Sequence, residues 1–256
     1  MTAKILVCLA AGMGAGIGTG LAGLSAAAVI SPMLITFLGF EAYEAVGIAL
    51  ASDVLASAVS AYTYGKHKNL DIKNGIVMLC AVLVFTMAGS YIASLLPNTT
   101  MGGFSVFMTL LLGIKFIVRP VMTTKNKQEE KSRGTRVVQS LLCGAAIGFI
   151  CGFIGAGGGM MMLLMLTSVL GYELKTAVGT SVFVMTFTAF TGAVSHFSIS
   201  GSLPDIPALV LCIVFTFIGA RVAARFANKA PAETLNRATG IVLAVLGLAM
   251  VCVKYF

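Results

Sequence analysis

Residues 148–166 read GFICGFIGAGGGMMMLLML, a charge-free run into which Gly148, Gly152, Gly155, Gly157, Gly158 and Gly159 are crowded. With few glycines such a run would be an ordinary membrane helix. At this density glycine strips the side chains from one stretch of backbone, permits positive φ and lets a neighbouring helix or a ligand come close. In hydrocarbon a broken backbone survives only where it is buried in protein or lines a wet cavity, so the break is the expected working site. Gly148, Gly152 and Gly155 fit close helix packing through small residues. The consecutive Gly157, Gly158 and Gly159 exceed what packing requires.

The rest of the chain is as apolar as this stretch. Of 256 residues 58% are hydrophobic and 10% charged, with a mean hydropathy of +1.00. No soluble globule needs such a composition, and the predicted fold class is an all-α polytopic membrane protein. Each crossing takes about 20 residues, which leaves room for one membrane domain and no soluble one. Only Lys4 precedes the first apolar run, and no small-residue cleavage site leads into polar sequence, so a removable signal peptide is not expected. Cys8, Cys80, Cys143, Cys151, Cys212 and Cys252 are scattered through apolar stretches without a CxxC pair and read as small hydrophobes. The Met160, Met161, Met162 and Met165 cluster lacks Cys or His at ligand spacing, so it reads as adaptable packing; no metal or cofactor is implied. The net charge of +8 sits in short loops beside apolar runs, where orientation signals belong, and nucleic-acid binding is not supported.

Apart from Lys4 at its start, residues 4–37 form an uncharged run broken near 20–25, either a hairpin or two short crossings, followed by helices expected at 42–64, 72–95 and 101–119. After a polar linker the order recurs: an uncharged run over 137–170, then helices at 172–197, 204–227 and 235–253. Sliding the first half by 132 positions (148 − 16) lays Gly16, Gly20, Gly23, Gly39 and Glu41 on Gly148, Gly152, Gly155, Gly171 and Glu173. Ala45-Val46-Gly47 then falls on Ala177-Val178-Gly179. Two copies of one unit follow, a transporter-like duplication. The boundaries read as 1–119 for the first repeat, 120–136 for a linker and 137–256 for the second repeat.

The polar stretch from Arg119 to Arg136 carries Arg119, Lys125, Lys127, Lys131, Arg133 and Arg136 and is placed in the cytoplasm. Counting crossings from it puts Lys66, Lys68 and Lys73 inside as well. If residues 137–170 turn back rather than cross, Arg221, Arg225, Lys229 and Arg237 also lie inside. The repeats are then inverted and both termini external, in the plasma (inner) membrane. Each repeat is a broken glycine-rich hairpin plus three spanning helices: eight full spans plus two hairpins, or ten short crossings.

Residues 152–159, GFIGAGGG, followed by Ala177-Val178-Gly179-Thr180-Ser181, resemble the glycine-rich signature and the AVGTS element of the TauE/SafE-type sulfite exporter family, also called toluene-sulfonate uptake permeases. The resemblance runs over nearly the whole chain. Its first half departs from the pattern, with residues 23–32 reading GLSAAAVISP and Gly47-Ile48-Ala49 standing where the family often has GTS. The resemblance implies transport of a small sulfur-containing or carboxylate anion.

Asp53 is the one acid near the middle of an apolar helix, where an ionisable group is costly enough to be a functional candidate, here for proton coupling. Asp53, Ser57, Ser60 and Tyr64 follow at i, i+4, i+7 and i+11, one polar stripe. A packing role between helices is the bland alternative. In the second copy Ser181, Thr188, Thr191 and Ser195 make a hydroxyl stripe ending at His196, which reads as an interfacial histidine. Glu41 and Glu173 read as helix caps, and Lys115, Arg221 and Arg225 as snorkelling anchors. With every cation near a span end, the anion is expected to meet backbone N–H groups at Gly155, Gly157, Gly158 and Gly159, helped by Thr180, Ser181, Ser25 and Ser31, along a path including Ser57 and Thr188.

Three functions fit these features. The first is a secondary transporter for a small anion, proton- or gradient-driven by alternating access; nothing resembles an ATP-binding loop. The second is an anion channel of the same architecture. The third is an intramembrane serine hydrolase using Ser25 and His196, which needs the serine within reach of the imidazole. The first is the expectation, a non-enzymatic protein whose partners are the lipid bilayer and a small anionic substrate; oligomeric state is left open.

Overall fold

The computed structural model describes residues 2–94, 133–154, 158–200 and 204–231 without interruption, with single positions among 114–118 and 233–252. Every element among them is helical, as the fold class requires. The helices are α1 (Thr2–Ala22), α2 (Ala27–Leu38), α3 (Ala42–Lys66), α4 (Ile72–Ser94), α5 (Arg133–Ile154), α6 (Gly158–Leu164), α7 (Leu174–Ser200) and α8 (Ile206–Lys229). The backbone after α6 widens into π geometry over Met165–Val169. Five of these helices, α1, α3, α4, α7 and α8, are long and apolar enough to cross a bilayer. Leu55, Val84, Phe190, Val214 and Val222 stand exposed on their outward faces, as side chains that meet lipid do. The expected helices at 101–119 and 235–253, and the linker, lie outside the described residues apart from single positions.

Both uncharged runs turn back. α1 stops at Ala22 because Gly23 takes φ +64°, a left-handed conformation open to glycine at no steric cost. Thr19 Oγ1 donates to Leu24 O at 2.7 Å and satisfies a carbonyl that the helix no longer reaches. α2 has 12 residues, about 18 Å, too short to cross the hydrocarbon. It ends at left-handed Gly39, and Phe40 comes back beneath Lys4, whose Nζ is 5.8 Å from the ring centroid. In the second half the chain returns past α6 to Tyr172, whose hydroxyl donates to Asp71 Oδ2 at 2.9 Å beside the start of α4.

Glycines set how the helices cross. A Cβ on Gly12 would strike Phe215 and Thr216, one on Gly16 Thr216 O and Ala220 N, and one on Gly20 Ala220 O and Ala224 N, so α1 and α8 run parallel. Gly144 against Met78 O and Gly148 against Val82 O make α5 and α4 parallel too. Gly47 against Phe197, Gly192 against Leu50 and Gly179 against Tyr64 make α3 and α7 antiparallel. The obstacles at Gly16 and Gly148 are backbone atoms that cannot rotate away. Gly16→Val and Gly148→Val are therefore expected to lower Tm by about 4 °C or more, from an overpacking cost of ~1–3 kcal/mol. Gly134→Val, where an added Cβ meets nothing within 4 Å, should leave it unchanged in the same thermal scan in detergent.

The two ends of the bundle differ in charge. At one end Lys4 pairs with Asp205, whose Oδ1 caps α8 by accepting from Ala208 N at 2.9 Å, while Asp205 N donates to Glu44 Oε1 at 2.9 Å. The Lys4 ammonium holds the Asp205 carboxyl below the usual carboxylate range. That contribution is present above the ordinary carboxylate value of about 4 and is lost as pH falls through the lowered one. At the other end Lys66, His67, Arg221, Arg225 and Lys229 share one cavity, the common side on which Lys66 and the α8 cations are expected. Glu41 is not a side-chain cap: it stands at the N-cap of α3 in extended conformation, and only its backbone carbonyl takes part, accepting from Ala45 N at 2.9 Å.

Candidate functional site

The two glycine-rich breaks, far apart in sequence, touch one another inside the bundle. Gly159, the second residue of α6, lies so close to the turn after α1 that a Cβ there would collide with Gly23 O and Ser25 N. Ser181 of α7 stands over the same junction, its Oγ 3.3 Å from Gly23 O, 3.5 Å from Gly159 O and 3.6 Å from Met185 Sδ. A hydroxyl has one proton for these three acceptors, and every distance is at the long end of bonding range, so Ser181 is loosely held and free to turn to a ligand. Ser181 is fully buried and Ser25 nearly so.

Asp53 enters from α3. Ser25 Oγ donates to its Oδ2 at 2.9 Å, Ser57 Oγ donates to its Oδ1 at 2.9 Å, and the Ala26 N–H also bonds it. The carboxyl therefore sits at the N-terminus of α2, where the helix dipole favours negative charge. Among the described residues no cation pairs with it. Ala26 and Ala27 donate their amides to Asp53 and to Ser25 Oγ, but the N–H of the buried Ser25, whose nitrogen lies against Gly159, finds no acceptor among the described residues. Buried unpaired amides are rare in folded proteins, and each calls for a reason.

The remaining expected residues divide. Ser57 joins the cluster through Asp53, and Gly158 opens α6. Gly155 and Gly157 lie outside the described residues. Thr180 faces away: its Oγ1 accepts from Asp71 N at 3.1 Å near the basic end. Ser31 and Thr188 bond their own helix, to Ala27 O and Val184 O, as isolated hydroxyls in apolar helices do. His196, near the end of α7, is covered by protein rather than exposed. It is 2% exposed, its ring centroid 4.2 Å from that of Tyr43, and neither His196 Nδ1 nor Tyr43 Oη has a partner among the described residues. Tyr43 precedes Asp53 by ten residues on α3, about 15 Å, so the imidazole is out of reach of Ser25 and the serine hydrolase lacks its base.

Two residues of the site were not among those singled out. Thr19 braces the first break, and Met185 packs its sulfur at 2.7 Å from the Cβ position of Gly159. The repeat register holds the signal for Met185, because 185 − 132 = 53 makes it the counterpart of Asp53. The site is thus acidic on one side and apolar on the other.

Comparison with known proteins agrees with this architecture. The family model described as Sulfite exporter TauE/SafE matches residues 8–250. Probable membrane transporter protein YunE of Bacillus subtilis is 27% identical over 98% of this chain and 98% of its own length. YdhB of the same organism, also a probable membrane transporter protein, is 25% identical over 92% of this chain and 95% of its own. A probable membrane transporter protein of Haemophilus influenzae is 25% identical over 96% and 97% respectively.

Proposed function

Because the chain belongs to the TauE/SafE sulfite exporter family and is a multi-pass membrane transporter rather than an enzyme, we propose that it carries a small sulfur-containing anion, such as sulfite, thiosulfate or an organosulfonate, through the junction of its two breaks. The observation that carries the reading is the Ser25 backbone N–H, in a buried residue, without an acceptor among the described residues and close against Gly159, with the Ser181 hydroxyl beside it. An amide and a hydroxyl can ligate an oxyanion without a buried cation, and backbone donors of the 155–159 break would complete the shell. Asp53 is one serine away and carries the coupled proton.

The mechanism proposed is alternating access between inverted repeats, 1–119 and 137–256, joined by a cytoplasmic linker at 120–136, with both termini external in the plasma membrane. The antiparallel pairing of α3 with α7, equivalent helices of the two halves, supports inversion. So does the gathering of Lys66, Arg221, Arg225 and Lys229 at one end, which positive-inside charge assigns to the cytoplasm. The test is uptake of labelled sulfite and thiosulfate into proteoliposomes. Uptake should saturate, speed up when unlabelled anion is loaded on the far side, and be driven by an inward proton gradient. Flux that neither saturates nor responds to anion on the far side would sink the carrier reading in favour of a channel.

A further inference from the structure

The basic end of the bundle holds a cavity of about 470 Å³ between α3 and α8, lined by Tyr62, Lys66, Arg221, Arg225 and Lys229 among others. Arg221, Arg225 and Lys229 follow at i, i+4 and i+8, a single column on α8, where like charges repel one another. Among the other described cations Lys4 pairs with Asp205, Arg237 with Glu233 and Lys175 with Asn228 O, while Lys68 and Lys73 stand singly on the exposed stretch from the end of α3 into the first turn of α4. Among the described residues neither this column nor Lys66 has any ion pair or hydrogen bond. Four exposed cations lining one cavity repel one another only weakly pair by pair, but together they concentrate positive potential there, which favours an anion between them.

A second groove, of about 550 Å³, adjoins the first, shares Tyr62 and Lys66 with it, and is otherwise apolar, with Leu70, Ile72 and Phe183 along it. Tyr62 stands between the two, 73% exposed on the outward face of α3, the position of an amphipathic ring at the boundary between headgroups and hydrocarbon. A small inorganic ion would use only the basic half. An anion with a hydrocarbon tail fills both.

We propose that the paired cavities bind an anionic phospholipid, its phosphate among Lys66, Arg221, Arg225 and Lys229 and an acyl chain along Leu70, Ile72 and Phe183. Guanidinium groups suit this because their planar fork pairs with two phosphate oxygens at once. The lipid would join α3 to α8, helices from different halves of the chain, and so tie together elements that must move relative to each other in alternating access. The site is distinct from the transport junction, and its test does not depend on the identity of the transported anion.

The measurement is the Tm of the full chain in detergent, titrated with phosphatidylglycerol, with phosphatidylcholine of the same chains, or with inorganic phosphate. Phosphatidylglycerol is expected to raise Tm by about 3 °C or more, and the other two by about 1 °C or less. Arg221→Gln with Arg225→Gln should remove most of the phosphatidylglycerol shift, while Arg221→Lys with Arg225→Lys retains part of it. Arg225→Gln alone serves where the double variant does not fold. An equal shift with phosphatidylcholine, a shift with phosphate as large as with lipid, or a phosphatidylglycerol shift undiminished in the Gln variants would each overturn the proposal.

Discussion

Asp53→Asn is expected to make anion binding independent of pH while leaving a folded protein. In the wild type the carboxyl accepts from Ser25, Ser57 and Ala26 and has no cation partner among the described residues, so its charge is held by hydrogen bonds and the α2 dipole alone. The anion proposed to sit on the Ser25 amide would lie roughly 6 Å from it. Two unit negative charges at that separation and an effective dielectric near 20 repel by ~3 kcal/mol, about a hundredfold in affinity. Proton and anion therefore favour each other, and the coupling is reciprocal. Wild-type affinity should be high where Asp53 is protonated and fall by up to ~100-fold as it ionises. The asparagine carries no charge and keeps one acceptor oxygen for one serine while its NH2 donates to the hydroxyl of the other, much as the protonated carboxyl does, so its affinity should stay at the acidic wild-type value across the range. Binding by isothermal titration at several pH values is the measurement. An asparagine variant that retains the wild-type pH slope would remove Asp53 from coupling and return it to a packing role between α2 and α3.

Most of the helical plan is legible in the sequence because the bilayer simplifies the problem. An apolar run bounded by charge has little freedom in length, so α3, expected at 42–64, spans Ala42–Lys66, and α8, expected at 204–227, spans Ile206–Lys229. The break after α1 is legible for the same reason that it exists: glycine takes φ +64° cheaply, and Gly23 ends the glycine-rich first part of an apolar run too long for one crossing. Side-chain direction was less accessible. Thr180 and Ser181 are neighbours in a motif, yet one helical step turns them about 100° apart, sending Thr180 to Asp71 and Ser181 to the junction. α7 carries hydroxyls and apolar residues on every face, so periodicity cannot choose between them. The burial of His196 is not legible in the sequence, because what stands against it is Tyr43, a partner in the other half that no local pattern announces.

Gly159→Ala should leave the protein folded but reduce transport per folded molecule by ~100-fold, the usual order for a displacement near 1 Å of groups that position a substrate. The added methyl would meet Gly23 O and Ser25 N, both backbone, and Met185 Sδ at 2.7 Å. Only the methionine can swing aside, so the two breaks must separate, drawing the Ser25 amide and the Ser181 hydroxyl away from a shared ligand. Gly16→Ala is the matched comparison, since its methyl meets Thr216 O and Ala220 N with similar severity but at a contact between α1 and α8 that only packs. Both variants should lose a few degrees of Tm, of order 1–3 kcal/mol of overpacking relieved in part by helix shifts. Flux normalised to folded protein should fall steeply for Gly159→Ala and little for Gly16→Ala. Equal losses in the two, or wild-type flux through Gly159→Ala, would mean that the meeting of the breaks is a packing contact and that the anion crosses elsewhere.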